Sequence, residues 1–353
     1  MGNKIDGHNN SLIGINNTFV GNLNDVFGIN NIVLGDGNAI IKGNSNQVKG
    51  EKNTLQGNQN SVVGSLNTLS GSQSSILGSQ NNLKGNNNTV IGDQNVMAGN
   101  SNAAVGNRNS MLGDENLVNG NDNKLKGNQN AVSGMSNLVV GDKNMIKKDG
   151  NRVAGSSNNL DGNNNTVIGS ENSLIGDFSS VKGSGNCANG SNNLLAGNSN
   201  LVDGSDNQVG GDNNTLKGSQ NAVLGCQNAL INASRNQVNG SLNTISNGND
   251  NLVQGSENLL KGNGNQLFGT HSTIEGNFNQ LVGNQSLIKG NQNLLKGENS
   301  SIIGSQSVVV GSNTIVIGNN NNNTGSNSVI EGELNNAVGN TNLIKGRVNN
   351  VIG

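Results

Sequence analysis

Gly57-Asn58-Gln59-Asn60-Ser61-Val62-Val63 is followed directly by Gly64-Ser65-Leu66-Asn67-Thr68-Leu69-Ser70. Both read G-x-x-N-x-Φ-x, with Φ aliphatic, and the same phrase runs outward from Gly7 to Gly353. The glycine place departs from Gly only at Lys148, Asn232 and Asn247, and the Φ place departs from an apolar residue only at Asn323. Three units carry one extra residue: 35–42, 232–239 and 247–254.

Such a period excludes two other readings. A coiled coil needs two apolar places per heptad and good helix formers, whereas a glycine in every turn costs about 0.8–1 kcal/mol against Ala. A disordered Asn/Gly-rich tract has no reason to keep its aliphatics in phase. What remains is an all-β solenoid in which each x-Φ-x segment is a strand, Φ pointing inward and its neighbours outward. Gly supplies the backbone freedom of a tight corner. Asn tolerates left-handed geometry there, and its carboxamide can bond the one above and below.

Two 7-residue half-coils make a closed rung of about 14 residues. The fourth-place Asn is replaced at Ser272, Ser286, Ser300, Thr314 and Ser328, each 14 residues after the last, so one edge changes while the other mostly keeps Asn, Ser307 being a lapse. The three insertions all fall in even units and are expected to bulge from one side. About 25 rungs spaced about 4.8 Å apart form a single continuous domain over 1–353, about 120 Å long, with no capping helix. Asn60, Asn88, Asn102, Asn130, Asn165, Asn193 and Asn221 are assigned to the asparagine ladder, and Val62, Val90, Leu125, Val167, Leu195 and Val223 to the core. Met97, Met111, Ala104 and Ala188 predict looser packing, and Asn323 a weak rung or a loop.

Composition removes several function classes. The 353 residues include 54 Gly, no Pro, Trp or Tyr and five Phe; net charge is -2, which offers no footprint for nucleic acid. The longest apolar runs are too short for a signal peptide or a membrane span, so no membrane insertion is expected. His8 and His271 are too far apart to share a site, and Cys187 and Cys226 lie about three rungs, roughly 14 Å, apart, beyond disulfide reach. No catalytic, cofactor or metal residue is assigned and the chain reads as a non-enzyme. The turn acids Asp93, Asp114, Asp142 and Glu115 read as solubility charges.

The places flanking Φ face solvent. Thr54, Thr68, Thr89 and Thr166 precede Φ and are the candidate ice-face threonines, though the threonines fall on both sides of the coil. Leu34, Ile91, Val105, Leu112, Phe268, Val310 and Ile317 follow Φ and form outward aliphatic rows of the kind that mark interaction surfaces. Lysines such as Lys49, Lys84, Lys147 and Lys182 share that place and blunt aggregation.

Asn88-Thr89-Val90-Ile91-Gly92 and Asn165-Thr166-Val167-Ile168-Gly169 resemble the x-x-N-x-V-x-G repeat of the grass ice-recrystallisation-inhibition proteins. That resemblance covers the whole chain and implies a left-handed β-roll of about two heptads per coil, an Asn edge ladder and one flat ice-binding face. The repeat is also similar to the 14-residue repeats of trimeric autotransporter adhesin heads. This chain is longer than the grass proteins and uses Leu and Ile where they favour Val. The leading expectation is a structural rod that associates with its own copies, laterally or end to end, into a fibre, sheath or surface layer. Ice binding is the alternative and an adhesin shaft or head the second; an extracellular or cell-surface location is expected despite no visible signal peptide.

Overall fold

The computed structural model describes residues 2–276 and, beyond them, 280–282, 287–290, 294–296, 301–303, 308–309, 313, 315–317, 320, 322–324, 327, 329–332, 336–338, 343–346 and 350–352. The chain forms two compact units, Met1–Asn172 and Ser173–Gly353. Each repeats one construction, and the described residues are all-β with no helix.

In the first unit the x-Φ-x segments form three-residue strands that alternate between two parallel sheets. Lys4–Asp6 and Thr18–Val20 begin the first sheet, while Ser11–Ile13 and Asp25–Phe27 begin the second. Partners lie 14 residues apart, as in Ser75↔Thr89, Ile76↔Val90 and Leu77↔Ile91. A β-solenoid with a two-strand rung follows. The second unit does the same, with Ser173–Ile175 and Cys187–Asn189 in its first sheet and Ser180–Lys182 and Leu194–Ala196 in its second.

The strands are short because the corners take the other four residues of each heptad. Corner backbone groups bond between rungs: the Gly71 N–H donates to Gln56 C=O at 2.9 Å and the Gln73 N–H to Asn58 C=O at 2.9 Å. The Thr68 N–H likewise donates to Asn81 C=O at 2.8 Å. Coil and strand are therefore stitched alike, which lets a chain without a wide core satisfy its buried backbone.

Left-handed geometry sits elsewhere than the sequence suggests. Residues with φ near +60° occupy the third place of the repeat, for example Gln59, Leu66, Gln73 and Arg108. The fourth-place ladder asparagines are not among them. The glycine place requires Gly for a second reason: Gly92 has φ +132°, and a Cβ built there would lie 2.1 Å from the Gly106 carbonyl oxygen one rung on. Where Lys148, Asn232 and Asn247 stand instead, φ falls to 70°, 51° and 50°, the left-handed region open to side chains.

The insertions all lengthen heptads of second-sheet strands, and they use two devices. In the first unit the extra residue lies within the strand Ala39–Lys42, where the register shifts between Ile40 and Lys42. In the second unit the extra residues lie in corners, and pairing there widens to 15, as in Ala222↔Gln237 and Gln237↔Leu252. Asn232 takes the left-handed turn and Ala233 then supplies the stacked carbonyl that glycine supplies elsewhere, accepting from Asn221 Nδ2 at 2.8 Å.

The core is one side chain thick on each sheet. Val62, Val90, Leu125 and Val167 in the first unit and Leu195 and Val223 in the second are at most 4% exposed. Met97, Ala104, Met111 and Ala188 are as enclosed, at 1–2%. Met97 and Met111 pair directly on the second sheet, and Ala104 comes between them in the chain on the first, so long and short side chains alternate across the core. Asn322–Asn323 forms a strand pairing Val309 with Asn323 and Asn323 with Ala337, so that segment is not a loop. Ser286, Ser300, Thr314 and Ser328 lie outside the described residues.

Gly92→Ala meets both a forbidden φ and a carbonyl. It should lower thermal stability by at least about 2 kcal/mol, read by circular dichroism. Gly185→Asn is the control: φ is +67° and the nearest atom to a Cβ is Ser199 Oγ at 3.6 Å, so a change within about 0.5 kcal/mol is expected.

Candidate functional site

The asparagine ladder makes the faces rigid. Asn67 donates from its backbone N–H and from Nδ2 to Asn53 Oδ1, both at 3.0 Å, and from Nδ2 to the Gly78 carbonyl at 2.7 Å. Asn81 repeats the pattern on Asn67. Asn60, Asn102 and Asn130 donate Nδ2 to the carbonyls of Gly71, Gly113 and Gly141, each at 2.8 Å, and Asn88 does so to Gly99 at 2.8 Å. Asn165 donates its N–H to Asn151 Oδ1 at 3.0 Å. In the second unit Asn193 and Asn221 donate Nδ2 to Gly204 and Ala233, again at 2.8 Å. All seven are at most 2% exposed, and among the described residues no buried side-chain polar atom lacks a partner. Ser74 keeps the accepting half of the role, taking the Asn88 N–H at 3.1 Å, but its hydroxyl turns to Ser72 C=O at 3.3 Å.

A second, outer ladder runs along the rims. Ser79 N–H donates to Asp93 Oδ1 at 2.6 Å, Asn100 N–H to Asp114 Oδ1 at 2.6 Å and Asn128 N–H to Asp142 Oδ1 at 2.7 Å. These acids are built into the corners and are more than solubility charges. Glu115 accepts from Gln129 Nε2 at 2.8 Å, and His271 meets the Glu257 carboxylate. Arg108 holds Asp122 through Nε and Nη2 at 2.6 and 2.7 Å, which keeps the Asp122 carboxyl below its usual range and raises the guanidinium. Arg235 and Asp250 do the same in the second unit.

With stability carried inside and along the rims, the outward places are free for function. On the first sheet of the first unit, charge ends at Lys49 and returns at Lys147. Between them lie the strands Ser61–Val63, Ser75–Leu77, Thr89–Ile91, Ala103–Val105, Leu117–Asn119 and Ala131–Ser133, and none presents a charged side chain. Their register stacks Ser61, Ser75, Thr89 and Ala103 in one column and Val63, Leu77, Ile91 and Val105 in the next. The aliphatic column is 39–52% exposed. Six strands span about 24 Å along the axis, with the columns about 7 Å apart. Behind this face, the second sheet carries Lys84, Lys124 and Lys126.

The candidate threonines do not share this face. Thr54 and Thr68 pair on the second sheet, Thr166 lies on the second sheet, and Thr89 alone is on the uncharged first sheet. Of the outward aliphatics, Leu34, Ile91 and Val105 lie on the first sheet and Leu112 on the second. In the second unit Phe268 is half-buried and Ile317 is 42% exposed. Val310 lies outside the described residues. Sequence reasoning that followed the threonines passed over the absence of charge in alternate heptads from Ser61 to Ser133.

Among the described residues no group of three or more His, Cys, Asp or Glu could hold a metal, Cys187 and Cys226 are free thiols, and no helix is long and apolar enough to cross a membrane. A family model described as grass antifreeze beta roll matches residues 2–78, 76–162, 148–225 and 210–304. No curated protein matches the chain.

Asn67→Ala strands the Gly78 carbonyl and the Asn81 N–H and takes one of two donors from Asn53 Oδ1, and should cost about 1–3 kcal/mol; Asn67→Ser, which copies Ser74, should cost less. Equal melting of the two variants would count against the ladder's donating half. For Asp122, a depressed carboxyl contributes stability above the ordinary carboxylate range and loses it as pH falls through its folded value. Amide exchange at the corner 107–109 should therefore quicken in acid, and Asp122→Asn should flatten that dependence.

Proposed function

The chain belongs to the grass antifreeze beta roll family, and from that premise we propose that it is a non-catalytic, extracellular ice-binding β-roll whose ice-facing surface is the uncharged first sheet of the first unit. The carrying observation is the charge-free run from Ser61 to Ser133, bounded by Lys49 and Lys147 on the same sheet. A charged side chain keeps its own hydration shell and resists giving it up to a solid surface. Hydroxyls beside branched methyl groups hold water less tightly than an ion does, and a face already held rigid by the ladder loses little entropy on docking.

In a recrystallisation assay at micromolar protein, ice grains should stay small with the unaltered chain. Ile91→Lys, in the middle of the face, should abolish that effect while leaving the circular dichroism unchanged. Ala98→Lys, on the opposite sheet, should leave inhibition intact. Normal grain growth with the unaltered chain, or equal loss in both variants, overturns the assignment.

Self-association has an observation of its own. The second sheet of the second unit presents no charge between Lys182 and Lys296, and it carries a shallow groove of about 560 Å³ floored by Ala196, Gly210 and Ala222 and walled by Leu194, Leu224 and Leu252. Leu194 and Leu224 are 49% and 61% exposed. A concentration-dependent rise in sedimentation coefficient, lost in Leu224→Lys, supports this second reading; a constant monomer value removes it.

A further inference from the structure

Five Asn–Gly pairs occur in the chain: Asn119-Gly120, Asn189-Gly190, Asn239-Gly240, Asn247-Gly248 and Asn263-Gly264. This dipeptide is prone to deamidation because an unhindered glycine nitrogen can attack the preceding carboxamide. Four of the pairs are restrained. The N–H groups of Gly120, Gly190 and Gly240 donate to the carbonyls of Val105, Ile175 and Leu224, each at 2.8 Å, and Gly264 donates to Asn249 at 2.9 Å.

Asn247-Gly248 differs. It sits in a corner that carries an extra residue, and there the bond to the preceding rung comes from Asn247, whose N–H donates to Ile231 C=O at 3.0 Å. The Gly248 N–H donates to no acceptor among the described residues, although Gly248 is buried. Asn247 itself is exposed and left-handed at φ 50°. Asn232 Nδ2 donates to Asn247 Oδ1 at 3.2 Å, which places a hydrogen-bond donor on the oxygen that gains charge when the carboxamide carbon is attacked.

We propose that Asn247 is the intrinsic deamidation site of the folded protein. The Gly248 nitrogen, giving up its proton to water, attacks Asn247 Cγ. A new N–Cγ bond forms, the Cγ–Nδ2 bond breaks and ammonia leaves, giving a succinimide. Water then opens the ring at either carbonyl, yielding aspartate or isoaspartate. The net change is one water consumed and one ammonia released, with no oxidant or reductant. The product carboxylate stands in the corner that holds Asp250, and isoaspartate adds a backbone atom to a rung already one residue longer than its neighbours.

The test is incubation of the full, folded chain at mildly alkaline pH, with peptide mapping by mass spectrometry and isoaspartate methyltransferase labelling over time. Asn247 should gain one mass unit, and label, at least about five-fold faster than the other four pairs, the margin that one lost backbone hydrogen bond supplies. In denaturant the five rates should converge. Asn247→Ser should remove the early product while leaving the circular dichroism unchanged. Folded-state rates at Asn119, Asn189, Asn239 or Asn263 that match Asn247, or a denatured chain that keeps the same five-fold preference, overturn the proposal. This chemistry is independent of ice binding, so neither result bears on the other.

Discussion

One hydrogen-bonding unit supports the rest of the molecule: a buried carboxamide that accepts from the rung after it and donates to the rung before it and to a glycine carbonyl in the rung beyond. Asn is the shortest side chain that carries its donor and its acceptor on separate atoms. Asp would place a row of like charges in the interior, and Ser, as at Ser74, supplies the acceptor but turns its donor elsewhere. Because each carboxamide is both donor and acceptor, the ladder extends, among the described residues, without leaving a buried side-chain polar atom unsatisfied. This allows a core only one side chain deep on each sheet to hold together, where an ordinary domain of this size would need a thick one.

The division of labour within the heptad follows from that ladder. The Φ place fills the core, the fourth place bonds rung to rung, and the glycine place yields its volume to a stacked carbonyl. The corner place after glycine adds the outer acceptors. The two places beside Φ belong to neither core nor ladder, so they vary, and what varies there decides what each face can touch. The first unit clears charge from its first sheet over Ser61–Ser133, and the second unit clears it from its second sheet over Leu194–Val282. Charge goes instead to the rims and to the other sheets, where Arg108–Asp122 and Lys261–Glu275 bridge successive rungs.

Much of this was legible in the residues themselves. A single aliphatic per heptad, with Gly and Asn in fixed phase, specifies a strand, a corner and a bond between rungs, and the 14-residue spacing of Ser272 from Asn258 appears directly as a Ser272 N–H to Asn258 Oδ1 bond of 2.9 Å. Other features were hidden for physical reasons. The left-handed residue is the third one, which is mostly polar but of no fixed type, since Leu66, Arg108 and Phe178 also adopt it when both flanking places fix the turn. Asp93 and Asp114 looked like scattered charges because the outer ladder accepts Asn, Asp or Ser indifferently. The insertions share a parity but not a mechanism, since a bulge in a strand and an added corner residue both lengthen a rung by one. The uncharged face escaped notice because it is defined by what alternate heptads lack, and the threonines that drew attention divide between the sheets.

The most direct measurement of the ladder's role is hydrogen exchange at the asparagine side chains, followed by nuclear magnetic resonance in isotopically labelled protein. If the carboxamides carry the solenoid, the Nδ2 protons of fourth-place residues such as Asn67, Asn81 and Asn130 will exchange far more slowly than those of exposed corner residues such as Asn87 and Asn164. Uniformly fast exchange across both groups would mean that the backbone and the aliphatics alone hold the rungs together, and would contradict the carboxamide ladder as the basis of the fold.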